Sequence, residues 1–218
     1  MADRTAIILG ATGLVGEQCL QALLASPHYS TVLAVVRKPL EIKHPKLKCL
    51  VVDFDKLADY KAELKGQDVY CAIGTTIAKA GSQAAFRKVD FDYPKQLAEI
   101  AVWNGAKRFI LVSSMGADAN SAIFYSRTKG ELEEALKIMP FEALFIMRPS
   151  ILMGDRKEKR PGEAVARFVA DKFSFLFAGP LRKYAGTPVD LLGRLMVKLG
   201  TGPATGTHIL ENEEILKG

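Results

Sequence analysis

Tyr125 and Lys129 lie four positions apart in the segment Tyr125-Ser126-Arg127-Thr128-Lys129. This spacing places both side chains on one face of a helix. A tyrosine hydroxyl is a weak acid with an ordinary pKa of about 10, and a neighbouring ammonium stabilises its phenolate. Such a pair can exchange a proton with a substrate oxygen near neutral pH. The same spacing also occurs by chance on exposed helix faces. Other residues of the chain must therefore distinguish a catalytic pair from a surface pair.

Two hydroxyl side chains, Ser113 and Ser114, follow the apolar run that ends at Val112. Either hydroxyl could donate a hydrogen bond to a substrate oxygen and hold that oxygen against Tyr125. We expect Ser114 to have this role and keep Ser113 as the alternative, because one sequence does not determine which side chain faces the site.

A glycine-rich turn, Gly10-Ala11-Thr12-Gly13-Leu14-Val15-Gly16, follows the apolar run Ala6–Leu9 and precedes an amphipathic segment. In such a turn one glycine permits the sharp bend, and another lets backbone N–H groups approach a pyrophosphate. Gly16 lets helix and strand pack closely. The positive end of the helix then binds the anion. The order of strand, turn and helix favours a dinucleotide site over an ordinary strand–helix connection.

A basic pair, Arg37 and Lys38, ends the second apolar run, Thr31–Val36. Chains that bind NAD usually carry an acidic residue here, which accepts hydrogen bonds from the adenosine ribose. A basic pair instead suits the additional phosphate of NADP. Charged residues are also common where a strand leaves a sheet, but together with the glycine turn they predict NADP(H) rather than NAD(H).

The elements that must position these residues alternate between strand and helix along most of the chain. The predicted strands are Ala6–Leu9, Thr31–Val36, Lys48–Val52, Asp68–Ile73, Lys107–Val112, Glu142–Met147 and Thr207–Leu210. The predicted helices are Leu14–Ala25, Lys56–Leu64, Ala85–Asn104 (interrupted at Pro94), Ala122–Ile138, Glu163–Phe173 and Val189–Leu199. This order predicts an α/β fold, a doubly wound parallel-sheet Rossmann fold. We expect a single domain over residues 1–218, with residues 154–205 forming a small substrate-side cap.

Composition and charge narrow the functional class. With 49% hydrophobic and 25% charged residues, the chain is typical of a globular protein, and no apolar run is long enough to span a membrane. The net charge of +6 suits an anionic cofactor, and no interleaved aromatic residues suggest nucleic-acid binding. Without a signal segment, we expect a cytoplasmic protein. We expect no metal site, and reduced core thiols at Cys19, Cys49 and Cys71.

Together these motifs resemble the short-chain dehydrogenase/reductase superfamily, and more closely its atypical subgroup of Tat-interacting-protein-like oxidoreductases. The subgroup resemblance rests on CAIGTTIAKAG (Cys71–Gly81), VDFDYP (Val89–Pro94), SSMGAD (Ser113–Asp118), YSRTKGELE (Tyr125–Glu133) and RPSILMGDRKEKRPGE (Arg148–Glu163). The resemblance implies hydride transfer between NADPH and a carbonyl or alcohol, with Tyr125 as acid or base and Lys129 as its partner. Lys129 can also donate to the nicotinamide ribose.

The resemblance also implies which residues contact the cofactor. Asp53 and Phe54 would lie near the adenine, and Ile73, Gly74 and Thr75 would pass the cofactor at the end of the fourth strand. The other implied contacts are Thr12, Gly13, Leu14, Val15, Arg37, Lys38, Leu152 and Arg160. Two departures stand out. Ser150 replaces a glycine common in this subgroup, and the N-terminal extension of animal members is missing, so we expect no partner binding through it.

Two functions remain open at this point. The presence of serine, tyrosine and lysine together favours an NADPH-dependent enzyme, while the small substrate-binding portion also suits an NADPH-binding redox sensor without substantial turnover. An epimerase or dehydratase would need a larger C-terminal lobe. The substrate is expected to be a small molecule, and apolar residues in the predicted cap suggest a hydrophobic one, although they equally suit core or a subunit contact. We expect a monomer or homodimer. We also expect Arg160 to reach the cofactor or an anionic substrate group, with Arg156 as the second candidate for this contact.

Overall fold

Seven parallel strands form the main sheet of the computed structural model, which describes residues 4–154 and 184–218. Two further short strands pair with each other. In chain order the strands are β1 (Thr5–Leu9), β2 (Thr31–Val36), β3 (Leu47–Val51), β4 (Asp68–Cys71), β5 (Arg108–Val112), β6 (Ala143–Arg148), β7 (Leu152–Met153), β8 (Thr187–Pro188) and β9 (Gly206–Glu211). The main sheet has the order β3-β2-β1-β4-β5-β6-β9. All its neighbouring strands are parallel.

Helices cover both faces of this sheet. They are α1 (Leu14–Ala25), α2 (Ile77–Ala80), α3 (Gln83–Arg87), α4 (Tyr93–Trp103), α5 (Phe124–Lys137), α6 (Val189–Thr201) and α7 (Asn212–Ile215). A 3-10 helix spans Phe54–Tyr60, and a π-helical turn spans Lys88–Asp92. Within residues 4–154 and 184–218, no helix has both the length and the apolar character that crossing a bilayer requires.

Alternate residues of β1 enter two separate hydrophobic cores. Ala6 and Ile8 pack on the face covered by α1 and α6, whereas Ile7 and Leu9 pack on the face covered by α4 and α5. A parallel sheet buried on both faces requires apolar residues at successive positions, which explains the uninterrupted apolar runs of the sequence. The predicted doubly wound Rossmann architecture is confirmed.

The predicted helix Ala85–Asn104 is divided into α3, the π-helical turn and α4. The backbone N–H of Tyr93 donates to the carbonyl of Lys88, five residues earlier. Pro94 follows in the first turn of α4, where a missing N–H does not break the helix ladder. The interruption expected at Pro94 is therefore a widened turn within a continuous helical segment. Asp90, in this turn, is buried.

Several other sequence predictions need correction. The helix expected over Lys56–Leu64 is the 3-10 helix, which begins earlier because the Asp53 carboxylate accepts the N–H of Asp55. Cys49 is exposed on the edge strand β3 and is not a core residue, unlike Cys19 and Cys71. The sequence patterns predict neither the strands β7 and β8 nor helix α7.

The described part of the expected cap contributes to the main layers. Helix α6 packs against α1, where a Cβ on Gly193 would lie 2.7 Å from the backbone nitrogen of Cys19. This helix therefore covers a sheet face and does not close over the sheet edge. The predicted helix Glu163–Phe173, with Arg156 and Arg160, lies outside the described residues.

Candidate functional site

The order of the strands reverses between β1 and β4. From β1 the chain continues to β2 and β3 on one side and then returns to β4 on the other. In open parallel sheets, ligands bind at the carboxyl ends of the strands at such a switch point. Here the turns after β1 and β4 touch, because a Cβ on Gly10 would lie 2.6 Å from the Ala72 carbonyl.

The glycine-rich turn lies at this switch point. Gly10 has a φ of 89°, and the N–H of Gly13 donates to its carbonyl at 2.9 Å. A Cβ on Gly16 would lie only 1.9 Å from the Gly10 oxygen, so α1 begins in direct contact with the turn. The N–H of Glu17 donates to the carbonyl oxygen of Gly13 at 2.8 Å, as in the first turn of a helix. The amide groups at the very start of α1 come before this hydrogen bond and have no acceptor within the helix. This geometry suits an anion at the start of α1.

The predicted adenosine end lies along the carboxyl ends of β2 and β3. Arg37 and Lys38 are exposed directly after β2, and Asp53 is exposed after β3. Phe54 is buried, and its ring centroid lies 5.3 Å from that of Tyr93. The Phe54 ring therefore belongs largely to the core, and its contact with adenine stays a prediction.

Tyr125 and Lys129 share one face of α5, as the spacing predicts. The Tyr125 ring packs against Phe86, with centroids 5.5 Å apart. Lys129 is 5% exposed, and its Nζ lies 2.7 Å from Asp90 Oδ1. Burial alone would lower the pKa of Lys129, but the carboxylate of Asp90, and to a smaller extent Tyr125, raise it above its ordinary value. Lys129 therefore stays protonated at neutral pH.

Asp90 is a site residue that sequence reasoning missed. Its Oδ2 accepts the N–H of Thr75 at 2.8 Å, so it joins the turn after β4 to α5. A Cβ on Gly74 would lie 3.3 Å from Asp90 Oδ1 and 3.8 Å from Lys129 Nζ. The ion pair thus lies directly beside the exposed Gly74. The available signal was the acidic residue four positions before Pro94 in a helical segment.

The two candidate serines have different environments. Ser113 Oγ donates to Glu133 Oε1 at 2.5 Å, and Arg148 also binds this carboxylate. Ser114 Oγ is buried and makes no hydrogen bond with any residue in the described part of the chain. The hydroxyl of Ser113 is therefore engaged within the fold, and the role of Ser114 as the substrate contact stays a prediction.

Ser150 ties the end of β6 to the segment before β8. Its Oγ donates to the carbonyl of Ala185, and its N–H lies 3.1 Å from Thr187 Oγ1. A Cβ on Gly154 would lie 3.3 Å from Leu14, so the chain just after Leu152 runs beside the start of α1. Leu152 thus lies near the glycine-rich turn, while Arg160 lies outside the described residues.

The described residues fit a dinucleotide cofactor along this edge of the sheet. The start of α1 follows the glycine-rich turn, Lys129 Nζ lies beside Gly74, and Ser114 Oγ is a buried hydroxyl that makes no hydrogen bond within the described residues. In residues 4–154 and 184–218, no group of histidine, cysteine and acidic side chains is arranged to bind a metal ion.

Comparisons with known proteins agree with this geometry. A sequence model of the NAD(P)H-binding family matches residues 10–160. The chain is 37% identical to protein HTATIP2 of Rattus norvegicus over 221 residues, which cover 99% of this chain and 89% of the rat protein. It is also 37% identical to the mitochondrial protein FMP52 of Candida albicans over 170 residues, which cover 75% of this chain and 74% of that protein.

Two solved structures show the same fold. A UDP-N-acetylglucosamine 4-epimerase from Methanobrevibacter ruminantium has a TM-score of 0.71 and 15% identity, covering 97% of this chain and 77% of the epimerase. The enzyme WbmH of Bordetella bronchiseptica, solved with NAD+, has a TM-score of 0.71 and 14% identity, covering 96% of this chain and 76% of WbmH. At these identities the similarity concerns the fold alone.

Proposed function

The chain belongs to the NAD(P)H-binding family and is a relative of HTATIP2 and FMP52, and from this premise we propose that it is an NADPH-dependent oxidoreductase of the short-chain dehydrogenase/reductase type. One observation carries the proposal. Lys129 Nζ lies beside the Gly74 backbone, on the helix face that bears Tyr125. This arrangement supports the proposal, because a cation and a phenol on one helix face beside the end of β4 suit the nicotinamide end of a dinucleotide.

The cofactor would be held along the carboxyl edge of the sheet. The glycine-rich turn and the first amides of α1 bind the pyrophosphate. Arg37 and Lys38 bind the phosphate on the adenosine ribose through charge-assisted hydrogen bonds, which favours NADPH over NADH. Lys129, protonated and paired with Asp90, donates to a hydroxyl of the nicotinamide ribose.

The protein's own residues handle the proton of the reaction. When bound, NADPH supplies a hydride to a carbonyl carbon, and NADP+ accepts one in the reverse direction. Tyr125 Oη donates its proton to the carbonyl oxygen during reduction and accepts it back during oxidation. Ser114 Oγ donates a hydrogen bond to the same oxygen and holds it against Tyr125. The ammonium of Lys129 stabilises the phenolate that remains after proton donation.

An isotope experiment tests the proposal and searches for the substrate at the same time. The protein is incubated with a cell metabolite extract and with NADPH carrying deuterium at both C4 positions of the nicotinamide. Transfer of deuterium to a metabolite, dependent on the protein, supports an oxidoreductase and identifies its substrate. If the protein binds NADPH but transfers no deuterium, the result contradicts the proposal of an enzyme. It then supports the alternative, an NADPH-binding redox sensor.

A further inference from the structure

A lysine and a tyrosine contact one carboxylate oxygen beside the predicted adenosine end of the cofactor site. Lys88 Nζ lies 2.7 Å from Asp55 Oδ1, and Tyr93 Oη donates to the same oxygen at 2.6 Å. The hydrogen bond from Lys88, followed by that from Tyr93, lowers the pKa of Asp55, so this carboxyl is ionised at neutral pH. The lysine and the carboxylate are each 52% exposed, and their charges can therefore act on a ligand.

The π-helical turn brings Lys88 and Tyr93 to the same carboxylate. The N–H of Tyr93 donates to the carbonyl oxygen of Lys88, five residues earlier. In an ordinary α-helix, two residues five positions apart would point about 140° away from each other. In a π-helical turn the hydrogen bond joins exactly these two positions, so they lie one turn apart on the same side. Both side chains can therefore reach Asp55.

This cluster lies at the same edge of the sheet as the basic pair that follows β2. The N–H of Val52 donates to the carbonyl oxygen of Val36 at 2.9 Å, so the chain leaves β2 and β3 at neighbouring points. Burial and the hydrogen bond to Asp55 raise the pKa of Tyr93 to about 12, whereas the positive charge of Arg37 opposes this rise. Arg37 therefore acts on the same hydroxyl that contacts Asp55, and the charges of the two residues lie within range of each other.

Two carboxylates accompany the basic residues at this edge. Asp53 is exposed, and its Oδ1 accepts the N–H of Asp55 at 3.0 Å. Negative charge at this position would repel the additional phosphate of NADPH, which NADH does not carry. Arg37 and Lys38 by themselves would only balance the two carboxylates. With Lys88 included, these five side chains carry a net positive charge.

We propose that Lys88 is a specificity-determining residue for the cofactor, since it neutralises Asp55 and leaves a net positive charge beside the phosphate that distinguishes NADPH from NADH. The proposal rests on the proposed function for the identity and position of the cofactor. It adds a determinant outside the basic pair after β2, because Lys88 comes from the π-helical turn and acts through a carboxylate that follows β3.

Calorimetric binding of NADPH and NADH tests this role without any need for turnover. Lys88→Met removes the compensating charge and keeps a side chain of similar length. At low ionic strength it should weaken NADPH binding about threefold relative to NADH binding. At about 1 M salt, where charges act over only about 3 Å, this change in the ratio of dissociation constants should disappear. A merely structural effect of the substitution would weaken the binding of both cofactors at both salt concentrations.

A double variant and a matched control separate the charge from other effects of the substitution. Asp55→Asn/Lys88→Met removes one charge of each sign, so it keeps the net charge of the wild type and should restore the wild-type ratio. Lys107→Met removes a lysine that is also exposed and paired with a carboxylate, that of Glu142, at the opposite edge of the sheet. This control should leave the ratio unchanged.

The outcomes distinguish the role of Lys88 from the proposed function. An unchanged ratio in Lys88→Met, or a changed ratio that the double variant does not restore, would overturn the role of Lys88 alone. If the unaltered protein prefers NADPH but transfers no deuterium, the proposed enzyme fails while the variants still decide the role of Lys88. An unaltered protein that binds NADPH no tighter than NADH would overturn both the proposed cofactor preference and the role of Lys88.

Discussion

Among the single residues, the neighbouring serines at the end of β5, Ser113 and Ser114, have different environments. Ser113 donates to the buried carboxylate of Glu133, which Arg148 also binds, whereas Ser114 Oγ has no partner in the described part of the chain. The first hydroxyl supports the fold, and the proposed function assigns the second to the substrate.

Alanine substitutions at the two serines should therefore have opposite effects. Ser113→Ala removes a donor from a buried carboxylate and should lower the free energy of unfolding by about 1–3 kcal/mol, with label transfer from NADPH little changed. Ser114→Ala should reduce label transfer at least about tenfold while stability stays near that of the wild type. Urea denaturation and the deuterium assay measure the two quantities. The reverse pattern would assign the substrate contact to Ser113.

The proposed preference for NADPH also depends on single side chains. One charge-assisted contact with the additional phosphate should make NADPH bind at least about tenfold tighter than NADH. Arg37→Asp should narrow or reverse this ratio of dissociation constants, measured by calorimetry. Lys65→Asp is the matched control, since it makes the same charge change on an exposed residue before β4, at the opposite edge of the sheet. Equal affinities in the unaltered protein would contradict the assignment.

Spacing along the sequence predicts some of these residues and not others. Tyr125 and Lys129 follow from one helical turn, because their separation alone puts them on the same face. Asp90 does not, since its contact with Lys129 depends on how two helices pack. The distinction between Ser113 and Ser114 likewise needs the position of Glu133, twenty residues further along the chain.

Among the elements, the contact between β1 and α1 determines the shape of the proposed phosphate site. Gly16→Ala would place a Cβ 1.9 Å from the Gly10 carbonyl oxygen, so α1 must move away from the turn. We expect a loss of about 1–3 kcal/mol in stability and at least about tenfold weaker NADPH binding.

Gly105→Ala provides the control for the glycine substitution. Gly105 has a φ of 79°, so alanine there is strained, but no atom lies within 4 Å of the added Cβ. Its stability should fall by about 1–2 kcal/mol while NADPH binding stays normal. If Gly16→Ala bound NADPH as well as Gly105→Ala does, the turn would not be the phosphate site.

The main strands and helices could be predicted because burial on both sheet faces leaves long apolar runs. Pro94 signals an interruption, yet its missing N–H does not reveal whether the helix ends or widens. The short pair β7–β8 could not be predicted, because two residues carry no periodicity and their pairing depends on distant parts of the chain.

At the scale of the whole molecule, buried protonated groups should limit stability at high pH. Burial raises the pKa of Cys71 from 9.0 to about 12. The unfolded chain therefore releases this proton at lower pH than the folded protein does. The corresponding stability is complete below about pH 9 and is lost as the pH rises toward 12.

Cys71→Ala should weaken this alkaline loss of stability. Between about pH 8 and about pH 10.5, the wild type should lose on the order of 2 kcal/mol more than the variant. Urea unfolding under reducing conditions measures the difference. Cys49→Ala removes an exposed thiol and should keep the wild-type loss. A Cys71→Ala protein with an unchanged loss would show that this thiol is not held protonated by the fold.

In the proposed function, this protein uses bound NADPH for chemistry in which Tyr125 moves the proton. The most direct measurement compares the wild type and Tyr125→Phe in the deuterium-transfer assay, with the dissociation constant for NADPH determined for both. We predict label transfer by the wild type, at least about 100-fold less by the variant, and NADPH affinities within a few-fold of each other. Transfer at the wild-type rate by Tyr125→Phe would show that Tyr125 does not move the proton.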